Sequence, residues 1–426
     1  MTAALKLATP KGYTALNPDT VKDYLAALPE IAKKLGGKLA EWQSREVGDG
    51  NLNLVFIIKG KDGSVCVKQA LPYVRLVGES WPLPLSRAHF EHLALEAEAT
   101  FAPAYVPASY HYDEAMALTV MEYLSPHIIL RKGLIRGIKY PNVAKHLGEF
   151  LALTLFHTSD LHLSAEEKKK QIAVFAANTA MCKISEDLIF DEPYFEAPMN
   201  RHTPGLEDIA KSFRADAVLK TAAQEMKWRF MNATEALIHG DLHTGSVMVT
   251  ETDTRAIDPE FAFYGPMGFD VGAVIANLLL AYFAQSGHAE KHGARNAYAS
   301  WILEQIVVLW EIFAATFTKL WKERDAAHPG GDVYAPRLYG GESGNAINPA
   351  IRARLEAIWN DTLGFAALKM IRRILGLAHV EDMEAIPDVS LRVACERKAL
   401  TFARKLLVEH KAYGTPQVLA QKAMAS

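Results

Sequence analysis

The first third of the chain alternates between apolar and polar positions, a pattern typical of half-buried β-strands. Residues 52–59 form one predicted strand, and the Asp62-Gly63 pair after it predicts a hairpin turn. The returning strand is predicted over 64–69, with Cys66 and Lys68 on the face opposite Val65 and Val67. Short helices are predicted over 18–28, capped by Asn17 or Asp19, and over 87–100, with another strand over 117–122.

Apolar residues of the remaining chain recur at helical spacing. The pattern predicts helices over 143–158, 208–231, 270–284, 299–324, 351–376 and 391–413, and short strands over 246–250 and 255–257. The apolar run 271–284 is shorter than the roughly 18 residues of a membrane-spanning helix, so a buried helix is predicted there. We therefore expect an α+β chain. A small N-terminal lobe with an antiparallel sheet, 1–122, precedes a larger and mostly helical C-terminal lobe, 123–426.

Composition excludes several classes of protein. Of the 426 residues 50% are hydrophobic and 22% are charged, which is a globular balance and excludes a coiled coil or global disorder. The net charge of -3 predicts no nucleic-acid or membrane partner through bulk electrostatics. Cys66, Cys182 and Cys395 have no paired spacing, which favours a reducing compartment without disulfides or zinc. With no signal-peptide pattern at the start, we expect a cytoplasmic protein.

The strongest chemical signal is the segment from Ile238 to Ser246, which contains His239-Gly240-Asp241. A second predicted strand follows and ends at Asp258-Pro259-Glu260. In phosphoryl transfer one carboxylate orients and deprotonates the acceptor hydroxyl, and another holds Mg²⁺, which prefers oxygen ligands. Each aspartate alone would be interpreted as a turn residue, but the two together after strands favour catalysis. His243 also makes an H-x-D-x-H pattern, yet no third His or Cys ligand follows nearby, which disfavours zinc.

A glycine-rich turn precedes the first hairpin. Gly48, Gly50 and Asn51 would let backbone N–H groups approach phosphates, although Gly-Asp-Gly-Asn is also an ordinary turn. Lys68 on the second strand is the predicted phosphate-binding lysine; a solvated strand lysine is the alternative.

Such a lysine needs a carboxylate partner. Glu91, Glu96 and Glu98 lie on the next predicted helix, and Glu91 is the preferred partner. The backbone of the strand that ends in Glu122-Tyr123-Leu124 would hydrogen-bond adenine.

A basic pair, Arg372 and Arg373, lies in a strongly apolar predicted helix. Adjacent helical residues point about 100° apart, so the two need not face one site. A surface basic pair is one interpretation. The apolar surroundings favour another, in which an arginine binds a hydroxylated substrate or neutralises a transferring phosphoryl group.

Along the chain, the glycine-rich turn, the lysine strand, the acidic helix, the hinge, the H-G-D segment and the D-x-E segment follow one another. This order resembles that of proteins with the protein-kinase-like fold, in the small-molecule branch of aminoglycoside and choline phosphotransferases. More closely, the chain resembles the 5-methylthioribose kinase family. The resemblance covers nearly the whole chain and is carried by VGDGNLNLVF, GESWPLPLSRAHFE, HGDLHTGS, DPEFAFYGPMGFD and KMIRRILGLAHVED.

The resemblance implies a bilobal homodimeric kinase. It would use ATP and Mg²⁺ to phosphorylate 5-methylthioribose at the anomeric hydroxyl, in methionine salvage. By this resemblance Asn51 and Lys68 contact ATP and Glu122, Tyr123 and Leu124 form the hinge. Asp241 would be the base, Asp258 and Glu260 would hold Mg²⁺, Arg372 and Arg373 would reach substrate, and the segment around Trp81 would act as a lid.

Two departures from the wider kinase pattern argue against a protein kinase. Ser246 stands where kinases usually carry a metal-binding asparagine, and Asp258-Pro259-Glu260 replaces Asp-Phe-Gly. Glu260 would then supply the metal ligand that Ser246 does not.

Two other functions stay open. A kinase for choline or an aminoglycoside would need an acidic pocket for its cationic acceptor, which Arg372 and Arg373 would oppose. A non-catalytic pseudokinase should have lost at least one of Lys68, Asp241, Asp258 and Glu260.

Overall fold

The chain divides into two units in its structure, which is a computed structural model. It describes residues 9–48, 52–75, 78–327, 331–334 and 347–426. The first unit comprises Met1–His127 together with Ile257–Phe261. The second comprises Ile128–Ala256 and Ala262–Ser426.

An antiparallel sheet forms the centre of the first unit. The strands of this unit are, in chain order, β1 (Gln43–Glu46), β2 (Asn53–Lys59), β3 (Ser64–Ala70), β4 (Tyr73–Val74), β5 (Gly78–Pro82), β6 (Ser109–Asp113) and β7 (Leu118–Glu122). The five-stranded sheet has the order β1-β2-β3-β7-β6, with every neighbouring pair antiparallel. The predicted hairpin is confirmed, and its turn closes where the Gly60 N–H donates to the Gly63 carbonyl at 2.9 Å.

Three helices accompany this sheet, namely α1 (Thr20–Ala26), α2 (Pro29–Leu35) and α3 (Arg87–Phe101), with short 3₁₀ turns at Leu39–Glu41 and Pro103–Tyr105. Apolar side chains of α1 and α2 share a buried cluster with Phe56, Val65 and Val67 of the sheet. Each such side chain stabilises the fold by about 1.5–3 kcal/mol. Asn17 satisfies the start of α1, because its Oδ1 accepts from the N–H groups of Asp19 and Thr20.

The segment around Trp81 differs from the predicted loop. Residues Gly78–Pro82 form β5, which pairs with β4 as Tyr73 faces Pro82. Strand β6 was also missing from the predicted elements. Its side chains are all half-buried, so it lacks the clear alternation that marks a strand with one buried face.

The second unit is mostly helical. Its strands are β8 (Ile128–Ile129), β9 (Ala236–Ile238), β10 (Val247–Val249), β11 (Thr254–Ala256) and β12 (Phe263–Gly265). Its α-helices are α4 (Leu130–Ile135), α5 (Val143–His157), α6 (Ala165–Phe175), α7 (Thr179–Ser185), α8 (Glu207–Ala215), α9 (Ala217–Asn232), α10 (Gly268–Ala284), α11 (Asn296–Ala327), α12 (Ile347–Leu375), α13 (Glu381–Glu384), α14 (Val389–Glu409) and α15 (Pro416–Met424). A π-helical turn spans Glu186–Asp191, and 3₁₀ turns span Glu192–Tyr194 and His410–Ala412.

Helix α10 is the core of this unit. Every residue of α10 except Tyr282 is buried, and α11, α12 and α14 pack around it. A helix that is apolar on all sides needs this complete cover. Gly272 allows a close approach, since a Cβ there would lie 2.6 Å from the Thr362 carbonyl oxygen of α12. The buried helix predicted over 271–284 is confirmed.

In the second unit, one long predicted helix differs from the structure. The helix predicted over 208–231 is two helices, because the Asp216 side chain accepts from the Leu219 N–H and starts α9 there. Within α11, the segment Asn296–Glu323 is long and apolar enough to cross a membrane by length and composition, and half of that window is buried inside the protein.

Candidate active site

Lys68 is the centre of a charged group in the first unit. Its Nζ donates to Glu91 Oε1 at 2.7 Å and also forms an ion pair with Asp258. The structure thus brings together Lys68 of β3 and Glu91 of α3, as the sequence suggested. Burial opposes the charge of Lys68, but Asp258, Glu91 and Glu260 outweigh burial and hold the pKa of the ammonium well above its ordinary value.

Three carboxylates meet beside this lysine. Glu91, Asp258 and Glu260 each offer an oxygen, and these oxygens lie within 4.8 Å of one another. Burial raises the pKa of Glu91 to about 7, with Lys68 opposing the rise and the other two acids adding to it. A cluster of hard oxygen donors with excess negative charge fits a divalent cation such as Mg²⁺.

Asp258 lies at a strained point of the backbone. Its φ of +73° is in the left-handed region, which costs about 1 kcal/mol or more for a residue with a Cβ. Strain of this kind persists where neighbouring contacts hold it, here the ion pair with Lys68.

Glu260 is held by two residues that sequence reasoning missed. Its Oε2 accepts from Asn53 Nδ2 at 3.0 Å and from Arg87 Nε at 3.2 Å. Arg87 is 1% exposed, and its other nitrogens donate to the carbonyls of Leu52 and Leu71 and to Asn53 Oδ1. One arginine therefore connects Glu260 to the start of β2, the strand that follows the glycine-rich segment of the sequence.

The predicted nucleotide-binding backbone is described only in part. Gly50 and Asn51 lie outside the described residues. Among the described residues no atom lies within 4 Å of the position that a Cβ on Gly48 would take.

At the predicted hinge, the Glu122 N–H already donates to the Ala108 carbonyl at 2.8 Å. A donor for adenine would thus have to come from Tyr123 or the buried Leu124. Trp81, predicted in the lid, is half-buried on β5.

Asp241 stands in the second unit, three residues after β9. Asp270, in the first turn of α10, holds this loop because its two oxygens accept from the N–H groups of His239 at 2.6 Å and Gly240 at 3.0 Å. Gly240 has a φ of +84°, which glycine adopts at no steric cost. The sequence H-G-D therefore makes a tight turn that presents the Asp241 side chain.

Basic side chains surround Asp241. Arg372 Nη2 lies 3.4 Å and Lys369 Nζ 3.8 Å from Asp241 Oδ1, and His243 Nε2 lies 3.4 Å from Oδ2. Burial would raise the pKa of the Asp241 carboxyl, but His243, Lys369, Arg372 and Arg373 outweigh it and hold that pKa well below its usual range. Asp241 is therefore ionised at neutral pH.

His243 is neutral at pH 7, because burial and the neighbouring arginines lower its pKa well below its ordinary value. Its Nδ1 accepts from the Gly245 N–H at 3.0 Å, so the ring proton resides on Nε2 and faces Asp241. The cations that hold Asp241 ionised at neutral pH are therefore the lysine and arginines of α12. Ser246 is buried and its Oγ lies 3.2 Å from His243 Nδ1.

Both adjacent arginines are buried, so the surface interpretation of this pair was wrong. Lys369, Arg372 and Arg373 follow the i, i+3, i+4 spacing of one helix face. That spacing was a readable signal for Lys369, which sequence reasoning missed.

A second buried ion pair lies beside this group. Arg131 Nε is 3.2 Å from Asp382 Oδ2, and Arg131 Nη2 donates to Asn277 Oδ1 at 3.0 Å. Burial raises the pKa of Asp382 to about 6, although Arg131 and Arg373 oppose the rise. The acid next to the arginines is thus already partnered.

The fold is that of a kinase-like phosphotransferase. The sequence profile described as the phosphotransferase enzyme family matches residues 43–302, and the chain belongs to that family. It is 47% identical over 399 residues to methylthioribose kinase 1 of Oryza sativa subsp. japonica, covering 93% of this chain and 92% of that one. It is 45% identical over 416 residues to the methylthioribose kinase of Escherichia coli O45:K1, covering 97% and 98%. Within the phosphotransferases, the chain therefore belongs to the methylthioribose kinase family.

Among solved structures, the chain is similar to a glucosamine kinase in complex with glucosamine, ADP and inorganic phosphate. The TM-score is 0.47 with 14% identity, covering 91% of this chain and 86% of that one.

Proposed function

We propose that this protein transfers the γ-phosphoryl group of ATP to the anomeric hydroxyl of 5-methylthioribose. The products are 5-methylthioribose 1-phosphate and ADP, and the reaction belongs to methionine salvage. The observation that carries the proposal is the similarity to methylthioribose kinases of plants and bacteria over nearly the whole chain. The chemistry of the charged groups in both units supports it.

The first lobe, 1–122, would bind the donor. Lys68 would contact the phosphates of ATP, with Glu91 holding its ammonium in place. Gly48, Gly50 and Asn51 would approach the phosphates through the backbone, and the segment 122–124 would receive adenine. Trp81 would take part in a lid that excludes water from the transfer.

A divalent cation, Mg²⁺ by our proposal, would be held by Asp258 and Glu260, with Glu91 beside them. Bound Mg²⁺ neutralises negative charge on the phosphates. Arg87 and Asn53 orient Glu260 for this task, since both occupy its Oε2.

The second lobe, 123–426, would bind and activate the acceptor. Asp241 is ionised and would accept the proton of the acceptor hydroxyl, late in a loose transition state. Arg372 and Arg373 would stabilise the transferring phosphoryl group, with Arg372 the nearer to Asp241.

The charge around Asp241 disfavours choline or an aminoglycoside as the acceptor. Lys369, Arg372 and Arg373 would repel a cation. The neighbouring acids, Asp270 and Asp382, are already engaged by backbone N–H groups and by Arg131. A neutral sugar fits this site better.

The experiment measures ADP release with Mg-ATP and four acceptors, namely 5-methylthioribose, ribose, choline and an aminoglycoside. Saturable turnover with methylthioribose alone is expected. Turnover of another acceptor instead would overturn the substrate proposal and leave the kinase chemistry in place. Tight ATP binding without turnover of any acceptor would favour a pseudokinase.

The homodimer and the cytoplasmic location implied by the family resemblance stay predictions. Sedimentation at several protein concentrations tests the first, because a dimer of this chain would have about twice the 47.0 kDa mass of the monomer. Cell fractionation tests the second.

A further inference from the structure

Lys369 is a buried cation that lacks an acceptor. Its side chain is 3% exposed, and among the described residues no atom accepts a hydrogen bond from its Nζ. An ammonium removed from water without compensating hydrogen bonds costs several kcal/mol. We therefore looked for an acceptor that would hydrogen-bond to this ammonium only when substrate is bound.

Two neighbours fix the position of this ammonium. The centroid of the Phe269 ring lies 3.9 Å from Nζ on one side, an arrangement that attracts a cation. On another side Asp241 Oδ1 lies 3.8 Å away. That separation is too long for a direct hydrogen bond.

At this separation, one oxygen atom could hydrogen-bond to both groups at once. A hydroxyl oxygen can lie about 2.8 Å from both Asp241 Oδ1 and Lys369 Nζ, donating to the carboxylate and accepting from the ammonium. Arg372 already neutralises Asp241 at 3.4 Å, so keeping the carboxylate ionised does not by itself require Lys369.

We propose that Lys369 is an acceptor-binding residue whose ammonium donates a hydrogen bond to the oxygen of the hydroxyl that loses its proton to Asp241. This inference rests on the proposed function. In the reaction the hydroxyl proton passes to Asp241 and the oxygen forms its bond to the γ-phosphorus. The bond from that phosphorus to the bridging oxygen of ADP breaks. The ammonium stabilises the negative charge that develops on the acceptor oxygen.

Several charged groups face Lys369. Burial lowers the pKa of its ammonium to about 8, with Asp241 and Asp270 opposing the fall and Arg372 and Arg373 adding to it. The acceptor site therefore loses a charge as the pH rises through about 8. An arginine in its place would stay charged.

The test compares Lys369→Met, Lys369→Arg and a matched control, Lys168→Met. Lys168 of α6 is also a buried helical lysine, with a side chain 4% exposed, but it is already paired with Asp160. We expect Lys369→Met to lower kcat/KM for the acceptor by roughly 10- to 200-fold, the value of a hydrogen bond from a charged group. The KM for ATP should stay unchanged, and Lys168→Met should keep the wild-type kcat/KM.

The pH profile separates contact with the acceptor from a structural role. In the wild type, kcat/KM for the acceptor should fall as the pH rises through about 8, and Lys369→Arg should remove that fall. Wild-type kcat/KM in Lys369→Met would overturn the inference. So would an equal loss in Lys168→Met, or a profile that Lys369→Arg leaves unchanged.

The acceptor in these assays is whichever hydroxylated compound the wild type phosphorylates. If the wild type phosphorylated ribose and not methylthioribose, the proposal that methylthioribose is the substrate would be wrong. The effect of Lys369→Met on ribose would still support or overturn the inference.

Discussion

The two units hold charge clusters of opposite balance, most of whose side chains are buried. The first cluster has three carboxylates against two cations, namely Glu91, Asp258 and Glu260 against Lys68 and Arg87. The second has three carboxylates against four cations, namely Asp241, Asp270 and Asp382 against Arg131, Lys369, Arg372 and Arg373. Because an unbalanced buried charge is costly, each excess indicates the charge of a ligand. By our proposal the first cluster receives a metal cation, and the second receives a neutral sugar and the transferring phosphoryl group.

The largest expected effect follows from removing the central carboxylate of the second cluster. Asp241→Asn should lower kcat by about 10²- to 10⁴-fold, because the acceptor hydroxyl loses its proton acceptor. Calorimetry should show ATP binding close to that of the wild type, since Lys68 and its partners are unchanged.

Asp216→Asn is the control for this prediction. Asparagine caps a helix as well as aspartate does, so α9 and the turnover should be kept. Substantial turnover by Asp241→Asn would contradict the role of Asp241 and the comparison of the two clusters.

A smaller effect, on stability, is expected from the first cluster. Arg87→Met leaves Glu260 buried beside two other acids and should lower the free energy of unfolding by about 3–5 kcal/mol. Urea denaturation measures this change. The exposed arginine in Arg397→Met should change stability little.

The Mg²⁺ requirement of the Arg87→Met variant tests the same role of Arg87. The Arg87→Met enzyme should need a 10- to 100-fold higher Mg²⁺ concentration for half-maximal activity, about the effect of removing a group that orients a metal ligand. A stability loss under about 1 kcal/mol, typical of a surface pair, would show that Arg87 does not balance this cluster.

The smallest effect concerns pH and the acid that pairs with Arg131. Asp382 has a pKa of about 6 in the folded protein, above the ordinary value near 4. The folded state therefore binds more protons than the unfolded state between these values, and this group's stabilising contribution is lost as the pH rises through them.

Asp382→Asn removes that titration. The unfolding free energy of the variant minus that of the wild type should rise by on the order of 2 kcal/mol from pH 4 to pH 7. Urea denaturation at several pH values measures it. A constant difference across this range would show that burial does not raise the pKa of Asp382 in the folded protein.

Local patterns predicted a large part of the fold. The hairpin with Lys68, the helix with Glu91 and the buried helix α10 follow from periodicity and turn residues. The same patterns did not predict the break between α8 and α9 at Asp216 or the short strand β5. A single capping residue and a pair of short strands produce almost no periodic pattern of apolar residues.

The sequence predicted those residues of the candidate site that lie within a recognisable local motif or on a predicted helix beside it. Asp241, Asp258 and Glu260 lie in recognisable segments, and Glu91 was chosen from three glutamates on a helix. Arg87 was missed because its partner Glu260 is 173 residues away along the chain. Asp382 was missed for the same reason, as nothing local to it indicates a contact with Arg131.

The sequence by itself determined the longer strands and helices, the two segments that contain Asp241 and Asp258-Pro259-Glu260, and the family to which the chain is similar. These depend on neighbours within a few turns of helix or one hairpin, where backbone geometry decides which side chains share a face. Only the tertiary structure decided that Arg87 holds Glu260, that Lys369 and both arginines of α12 surround Asp241, and that the two clusters differ in charge. Such contacts join distant segments, and packing selects them because a buried charge must meet an opposite charge or a ligand.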